Sequence, residues 1–469
     1  MTDAKPLSNK TLSNKTWADL NVGDEASLQR LCVADDFIVF AHASGNFNPI
    51  HLTGDTAARA PSMWVGALIS SVLGNVLPGP GTVYRHQTLN FRAAAHDGEE
   101  LTIGVRVKEK RAEPEILLTT WVDRKDGTRM CDGEALVAAP PSRITFTAAD
   151  VPGLTVQRHR HFEAMVRQAE GLPPLLTAVV SPEEPNALGG ALLAYRRNII
   201  TPILIGDRSR IEAAAREAGA DLSGVEIIQM SSHTAAAAKA VAMVHEGKAE
   251  AVMKGHLHTD ELLHHVVKRE GGLRTGRRLS HVFTMAVPGL DHILLITDAA
   301  INIAPDLEAK VDITQNAIDL ACAMGIAQPR VAVLSAVETV NPKIPSTLDA
   351  AALAKMAERG QITGGIVDGP LAMDNAMSLD AAKTKGIKSF VAGRADVLVA
   401  PNLESANMVV KELTYIAHAE GGGLVLGAAV PVILTSRADD EQVRLGSCAI
   451  AALYWNWKRG GVPLALAAE

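Results

Sequence analysis

The stretch PILIGDRSRIEAAAREAGADLSGVEIIQM, Pro202–Met230, decides the fold class of most of the chain. It reads as an aliphatic strand, PILIG, an amphipathic helix, RIEAAAREAG, and a second aliphatic strand, VEIIQM. The same alternation extends both ways. TAVVS (177–181) and a helix over Ala187–Arg197 come before it, and the helix AAAAKAVAMVHEG and the strand AEAVMKG follow. Strands that are apolar throughout, rather than at every second residue, are buried on both faces, which implies a largely parallel sheet covered by helices. Ligands of such sheets sit at the carboxyl ends of the strands. The positions to read for chemistry are therefore Ser181, Gly206, Lys254 to His258, Thr297 to Asn302, Asp368, Asn402 and Ser436.

Before about Phe162 the pattern is different. A long apolar helix, MWVGALISSVLGNVLPG (63–79), is followed by the strand-like runs VYRHQTLNFR, ELTIGVRVKEK, ILLTTWVDR and MCDGEALVAA. One helix followed by several antiparallel-looking strands predicts a sheet wrapped around that helix, the hotdog arrangement. Ahead of the helix lies SGNFNPIHL, Ser44–Leu52, a Pro-punctuated turn at the end of the apolar run FIVFA. It brings Asn46, Asn48 and His51 to one bend, where an imidazole and side-chain amides can meet a carbonyl substrate. The plainer reading is a surface turn whose Asn side chains satisfy its own backbone.

The chain has 469 residues, which implies two or three domains, because single cores seldom grow past about 250 residues. A formal charge of -7 with dispersed basic residues gives no sign of nucleic-acid binding. No apolar run is long enough to span a membrane and the start lacks a signal-peptide core, so a cytoplasmic protein is expected. Cys32, Cys131, Cys322 and Cys448 form no CxxC pair or metal spacing and read as reduced thiols. LSNKT occurs twice, at 7–11 and 12–16, and residues 1–16 are expected to be a disordered tail. Two prolines, a polar patch and VPGL mark a linker over 141–160, separating a hotdog domain at 17–140 from an α/β domain at 161–469.

The α/β part resembles the phosphate acetyl/butyryltransferase family over nearly all of 160–469. The resemblance is carried by ITPILIGD, VMKGHLHTDELLHHVV, GLRTGRRLSHVF, ITDAAINIAPDLEAKVDITQNAIDLA, VDGPLAMDNA, ADVLVAPNLESANMVVKEL and VPVILTSRADDEQVRLGS, in that order, with wording closer to the butyryl than the acetyl branch. It implies two α/β subdomains with a cleft between them, about 161–285 with 425–469 and about 286–424. It also implies the reaction acyl-CoA plus phosphate giving acyl phosphate plus CoA. Such chemistry needs a cationic pocket for a dianion and donors for the thioester oxyanion. By resemblance Ser436 and Arg437, directly after the strand VPVILT, are the catalytic and phosphate-site pair; the plainer alternative is an N-cap Ser beside a solvated Arg.

The acetyl branch carries a further aspartate as the base for the CoA thiol. The counted position here is Val443, with Asp439, Asp440 and Glu441 just before it, and Asp439 is taken as the substitute. That branch's further phosphate-site arginine falls at about His264, so Arg274 in the GLRTG loop is expected to supply the charge. Lys254 and His256 are expected at the phosphate or thioester. His256 and His258 also invite a metal reading, but no third ligand follows at a familiar spacing and none is assigned. Asp298 and Asn302 are expected to face the cleft, with helix capping as the alternative. Asp368 and Asp374 bracket a GPLAM turn, and Gly421 to Gly423 are read as a hinge loop.

The first part resembles the MaoC-like (R)-specific enoyl-CoA hydratase family over roughly 17–140, through GNFNPIHL, VLGNVLPGPGTVY and QTLNFR. That family pairs an Asp with its His to activate water. Here Asn46 stands in the Asp position beside His51, and an amide cannot act as that base. Pro61 and Ser62 replace the family's His-Gly pair, leaving the N–H of Ser62 or Met63 for the thioester oxygen. An altered hydratase and a non-catalytic acyl-CoA-binding or dimerising unit both remain open.

The expected protein is a phosphotransacylase for a short-chain acyl-CoA, with a hydratase-like acyl-CoA domain ahead of it whose hydratase activity those two replacements put in doubt. The alternatives are a bifunctional enoyl-CoA hydratase/phosphate acyltransferase and a non-catalytic acyl-CoA-sensing or assembly protein. No cofactor is called for beyond acyl-CoA and inorganic phosphate as substrates, and a homo-oligomer is expected.

Overall fold

The computed structural model describes residues 11–52, 58–147, 160–435 and 439–460. The chain divides into two compact units, Met1–Val156 and Gln157–Glu469.

In the first unit the helix Ser62–Asn75 is the axis of the core. Its buried Trp64, Val65, Ile69, Val72 and Leu73 pack against Leu101, Ile103, Val105, Ile116, Leu118, Met130 and Val137 of the sheet. The sheet has six strands. Glu25–Leu31, Glu100–Lys110, Glu115–Arg124, Arg129–Ala138 and Val83–Gln87 follow one another in that order, and Asn90–Phe91 also pairs with Arg129–Ala138. All these pairings are antiparallel. This is the expected sheet around a helix, joined by two elements the sequence did not disclose, the strand Glu25–Leu31 and the helix Ala34–Ser44. Phe37 of that helix meets Trp64 edge-on at 5.2 Å, tying it to the core.

The expected disordered tail and linker need correction. Thr11–Ser13 pairs antiparallel with Thr145–Thr147, with Leu12 opposite Phe146. The second LSNKT copy is tied down by its own side chains: Asn14 Nδ2 donates to the Ser142 carbonyl at 2.8 Å, and Asn14 Oδ1 accepts from the Ile144 N–H at 2.9 Å. A polar repeat thus gains order by pairing with a segment more than a hundred residues away. Residues 1–10 and 148–159, the rest of both calls, lie outside the described residues.

The second unit contains one eleven-stranded sheet. Glu226–Gln229, Ile200–Gly206, Leu175–Val180, Ala251–Lys254 and Val432–Ile433 form one parallel block. Leu294–Thr297, Val397–Val399, Arg330–Leu334 and Ile366–Leu371 form the other. Glu420–Leu426 and Ser280–Ala286 lie between them in antiparallel pairing, so the two expected subdomains share a continuous sheet. These pairings also make the blocks run in opposite senses, which turns their carboxyl ends toward opposite edges.

Two local readings change with this arrangement. Gly421 to Gly423 are no hinge: they lie in the central strand Glu420–Leu426. A Cβ would come within 2.4 Å of the Thr284 carbonyl at Gly421, 2.8 Å of the Ser447 nitrogen at Gly422, and 2.4 Å of the His281 ring at Gly423. Glycine is required there because neighbouring groups approach the strand closely. Asp368 is in the strand Ile366–Leu371 rather than a turn, and Pro370 is tolerated because that strand is at the sheet's edge. The four cysteines are free thiols; Cys32, Cys131 and Cys448 are buried, and burial pushes the Cys448 thiol up to about 12.

Candidate functional site

Thr435 follows the strand Val432–Ile433 at the carboxyl edge of the first parallel block and is 4% exposed. Two buried cations end on it. Lys254, the last residue of the neighbouring strand, donates from Nζ to the Thr435 carbonyl at 3.0 Å. Arg444 donates from Nη1 to the Thr435 hydroxyl at 2.5 Å. They are 2% and 1% exposed. Desolvating a cation costs several kcal/mol unless it is paired, so this pairing fixes both groups. Burial pushes the Arg444 guanidinium down, while the carboxylates of Asp439 and Glu184 pull it up. Arginine remains cationic under such opposing influences.

Arg444 gave no signal in the sequence. It sits in the second turn of the helix Glu441–Lys458, within a charged run that reads as a solvated face. The signal lies elsewhere, in Gly189 and Gly190 of the helix Pro185–Arg196. A Cβ at Gly190 would come within 2.6 Å of the Arg444 side chain, and one at Gly189 would overlap the Glu441 carboxylate. The paired glycines let the two helices close over the guanidinium.

A third nitrogen group lies close by. His281 is 1% exposed, its ring packs over Gly423, and the Leu434 carbonyl is within hydrogen-bonding reach. Burial pushes its imidazole down to about 4, against the opposite pull of the Asp298 carboxylate. Its Nδ1 is buried with no hydrogen-bond partner among the described residues.

On the same edge the Leu175–Val180 strand ends at Ser181, whose φ is 50° and whose hydroxyl is buried without a partner among the described residues. Non-glycine residues held in that region cost of order 1–3 kcal/mol and concentrate at functional sites. The Ser181 carbonyl accepts from the His256 N–H at 2.7 Å. His256 in turn places Nδ1 3.0 Å from Glu184 Oε2.

The expected site residues of this unit separate into distinct groups. Lys254 and His256 lie on the Thr435 edge, and Asp439 is in electrostatic reach of Arg444. Ser436 and Arg437 lie outside the described residues. Asp440 is the N-cap of the helix Glu441–Lys458 and accepts from the Val443 N–H at 3.0 Å. His264 is exposed on the helix Thr259–Val266, its ring edge-on to His265 at 5.5 Å. Arg274 corrects an expectation: its backbone bridges Ala428, at the end of the strand pair opposite Thr435, so it is badly placed to complete a pocket there.

Asp298 and Asn302 also differ from expectation. They are buried at 3% and 6% exposure rather than facing a cleft. Asp298 accepts from the N–H groups of Ala300, Ile301 and Asn302, each at 3.0 Å, and from Asn302 Nδ2 at 2.6 Å. Asn302 Oδ1 accepts from Arg278 Nε at 2.7 Å. Their polar atoms hold the loop after Leu294–Thr297 together, and the helix Leu307–Ala323 that follows is capped by Asp306 instead. Among the described residues no group of three or more His, Cys, Asp or Glu is arranged to hold a metal ion.

In the first unit the Asn46–His51 turn largely satisfies itself. Asn46 Oδ1 accepts from the Asn48 N–H at 3.2 Å, and Asn48 Oδ1 accepts from Ile50 at 3.4 Å. His51 Nδ1 is 2.7 Å from the Arg59 carbonyl. A carbonyl only accepts, so Nδ1 donates, and in the neutral imidazole Nε2 keeps the lone pair. Ser62 and Met63 open the helix Ser62–Asn75, where the first N–H groups have no intrahelical partner. These are the donors expected for a thioester oxygen.

The family model described as Phosphate acetyl/butaryl transferase matches residues 230–452. A phosphate acetyltransferase of Rhizobium meliloti is 57% identical over 293 residues, covering 62% of this chain and 93% of that protein. A phosphate butyryltransferase of Clostridium acetobutylicum is 42% identical over 294 residues, covering 63% and 98%. The higher identity to an acetyltransferase removes the expected leaning toward the butyryl branch. Among solved structures, a branched-chain phosphotransacylase from Enterococcus faecalis V583 is 30% identical, covers 60% of this chain and 99% of its own, and has a TM-score of 0.53. The R-hydratase PhaJ1 from Pseudomonas aeruginosa is 33% identical, covering 32% of this chain and 100% of its own, with a TM-score of 0.30. No helix of the described residues is long and apolar enough to cross a membrane. With a relative this similar matched over nearly its whole length, the chain belongs to the phosphate acetyl/butyryltransferase family and is a phosphate acyltransferase with a hotdog unit ahead of its transferase unit.

Proposed function

We propose that the second unit transfers a short acyl group between CoA and inorganic phosphate at the Thr435 edge. The observation that supports this most is the convergence of Lys254 and Arg444 on the residue directly preceding Ser436 and Arg437. In this reading Arg437 holds the phosphate dianion and Ser436 donates to the developing oxyanion. Lys254 and Arg444 fix Thr435 and bias the local field toward an anion. Phosphate oxygen attacks the thioester carbon, the carbon–sulfur bond breaks, and CoA leaves. A homo-oligomer belongs to the same reading. Met408, Tyr415 and Ile416 share one helical stripe and are 68%, 67% and 73% exposed, an apolar face suited to a second copy.

The first unit is proposed as an acyl-CoA-binding hotdog with little hydration activity, because the amide of Asn46 cannot take a proton from water. A second reading, a working enoyl-CoA hydratase, draws on His51, whose Nδ1 donates to the Arg59 carbonyl so that Nε2 is the lone-pair nitrogen of the neutral ring. The test is thiol release by the full chain from acetyl-, butyryl- and crotonyl-CoA, with and without phosphate. Release that depends on phosphate, with arsenate able to replace it, is the expected result. No phosphate-dependent release from any of the three would refute the transferase reading.

A further inference from the structure

We infer that His256, oriented by Glu184, is the base that takes the CoA thiol proton in this transferase. The inference rests on the phosphotransacylase reading and deepens it. Three acids stand just before Val443, and each is already engaged. Asp440 caps a helix through the Val443 N–H at 3.0 Å, Glu441 lies over Gly189, and Asp439 acts electrostatically on the buried Arg444 guanidinium. Each of these carboxylates thus already serves the fold, as a helix cap, as a contact between helices or as a counter-charge to a buried cation.

His256 has the opposite setting. Glu184 Oε2 lies 3.0 Å from its Nδ1, and a carboxylate partner fixes the proton on that nitrogen. In the neutral ring Nε2 then carries the lone pair, and the carboxylate stabilises the imidazolium that forms when it is used. The backbone is held as firmly: the His256 N–H donates to the Ser181 carbonyl at 2.7 Å. A Cβ at Gly255 would come within 2.4 Å of that same carbonyl, so the chain can pass only with glycine before the histidine. Two links join this dyad to the Thr435 edge. Lys254, two residues earlier, reaches the Thr435 carbonyl, and Glu184 acts electrostatically on Arg444, which holds the Thr435 hydroxyl. The His256 side chain is 42% exposed, open to a substrate thiol.

With acyl phosphate and CoA as reactants, the thiol proton passes to His256 Nε2 while sulfur forms its bond to the acyl carbon. The carbon–oxygen bond to phosphate breaks and phosphate leaves with that electron pair. In the opposite direction the imidazolium returns the proton to the departing thiolate.

The test uses the full-length protein, with acyl transfer to CoA followed for wild type, His256→Ala, His256→Gln and Glu184→Gln. His256→Ala is expected to lower kcat roughly 100-fold with little change in KM, and added imidazole is expected to restore part of the loss. His256→Gln, which keeps size and hydrogen bonding, should be as impaired as the alanine variant, and Glu184→Gln less so. Near-wild-type turnover by His256→Gln, or an alanine variant that imidazole does not help, overturns the role while leaving the transferase reading intact. A wild type without phosphate-dependent transfer overturns both.

Discussion

At the Asn46–His51 turn of the first unit, polar side chains are exposed and spend their hydrogen bonds on their own backbone. Around Thr435 in the second unit, charged side chains from two distant segments are buried and meet on one residue. The first arrangement costs the fold little and commits it to little. The second requires two desolvated cations to be held in place, and a fold that carries them has their positions fixed before any substrate arrives. Both regions were conspicuous in the sequence, but only the second is supported by glycines, strand ends and counter-charges from elsewhere in its unit.

The largest expected effect breaks the second arrangement. Arg444→Met keeps the volume and removes the charge, and phosphate-dependent CoA release should fall roughly 100-fold, about 3 kcal/mol of barrier. Unchanged far-UV circular dichroism would show that the loss is local. A variant with near-wild-type release would separate the buried cation from catalysis.

A second expectation concerns stability. His281 is neutral in the fold down to about 4, whereas an unfolded histidine protonates near 6.5. Above 6.5 both states are neutral and the histidine makes no pH-dependent difference. As pH falls from 6.5 toward 4, the unfolded chain binds a proton that the folded chain refuses, so stability declines. Between pH 7.5 and 5 this amounts to about 2 kcal/mol. Urea titrations of wild type and His281→Gln at both pH values should show that extra decline only in wild type.

Asn46→Asp sharpens the comparison from the other side. If the missing carboxylate is what limits the first turn, hydration of crotonyl-CoA should rise at least roughly tenfold from a slow or undetectable wild-type rate. Robust hydration by wild type, abolished in His51→Ala, would show that the amide was no obstacle. The smallest expected effect is that of separating the units. Each has its own apolar core, so residues 157–469 alone should keep phosphate-dependent release within about twofold of the full chain. An insoluble or inactive fragment would show that the units depend on each other.

Much of the fold was legible because periodicity is a local property. The helix expected over Ala187–Arg197 spans Pro185–Arg196, and the strands PILIG and VEIIQM fall within Ile200–Gly206 and around Glu226–Gln229. What escaped depends on partners far along the chain. Arg444 reads as solvated until Gly190 is seen to open a space for it, and Gly421 to Gly423 read as a hinge until His281 and Ser447 are seen pressing on that strand. Arg274 was assigned to the wrong end of a strand pair because a loop's sequence does not say which edge it lies on. Asp298 and Asn302 were correctly placed after a strand, but composition cannot distinguish a carboxylate offered to a ligand from one already holding its own loop.

The central claim is that acyl transfer to phosphate takes place at the Thr435 edge, on the buried cations that meet there. The most direct measurement is the rate of thiol release from a short acyl-CoA as phosphate is titrated, for wild type and Lys254→Met. Saturable, phosphate-dependent release in wild type, with at least a roughly tenfold weaker phosphate response in the variant, is the predicted result. Release that ignores phosphate, or a variant whose phosphate dependence matches wild type, would contradict it.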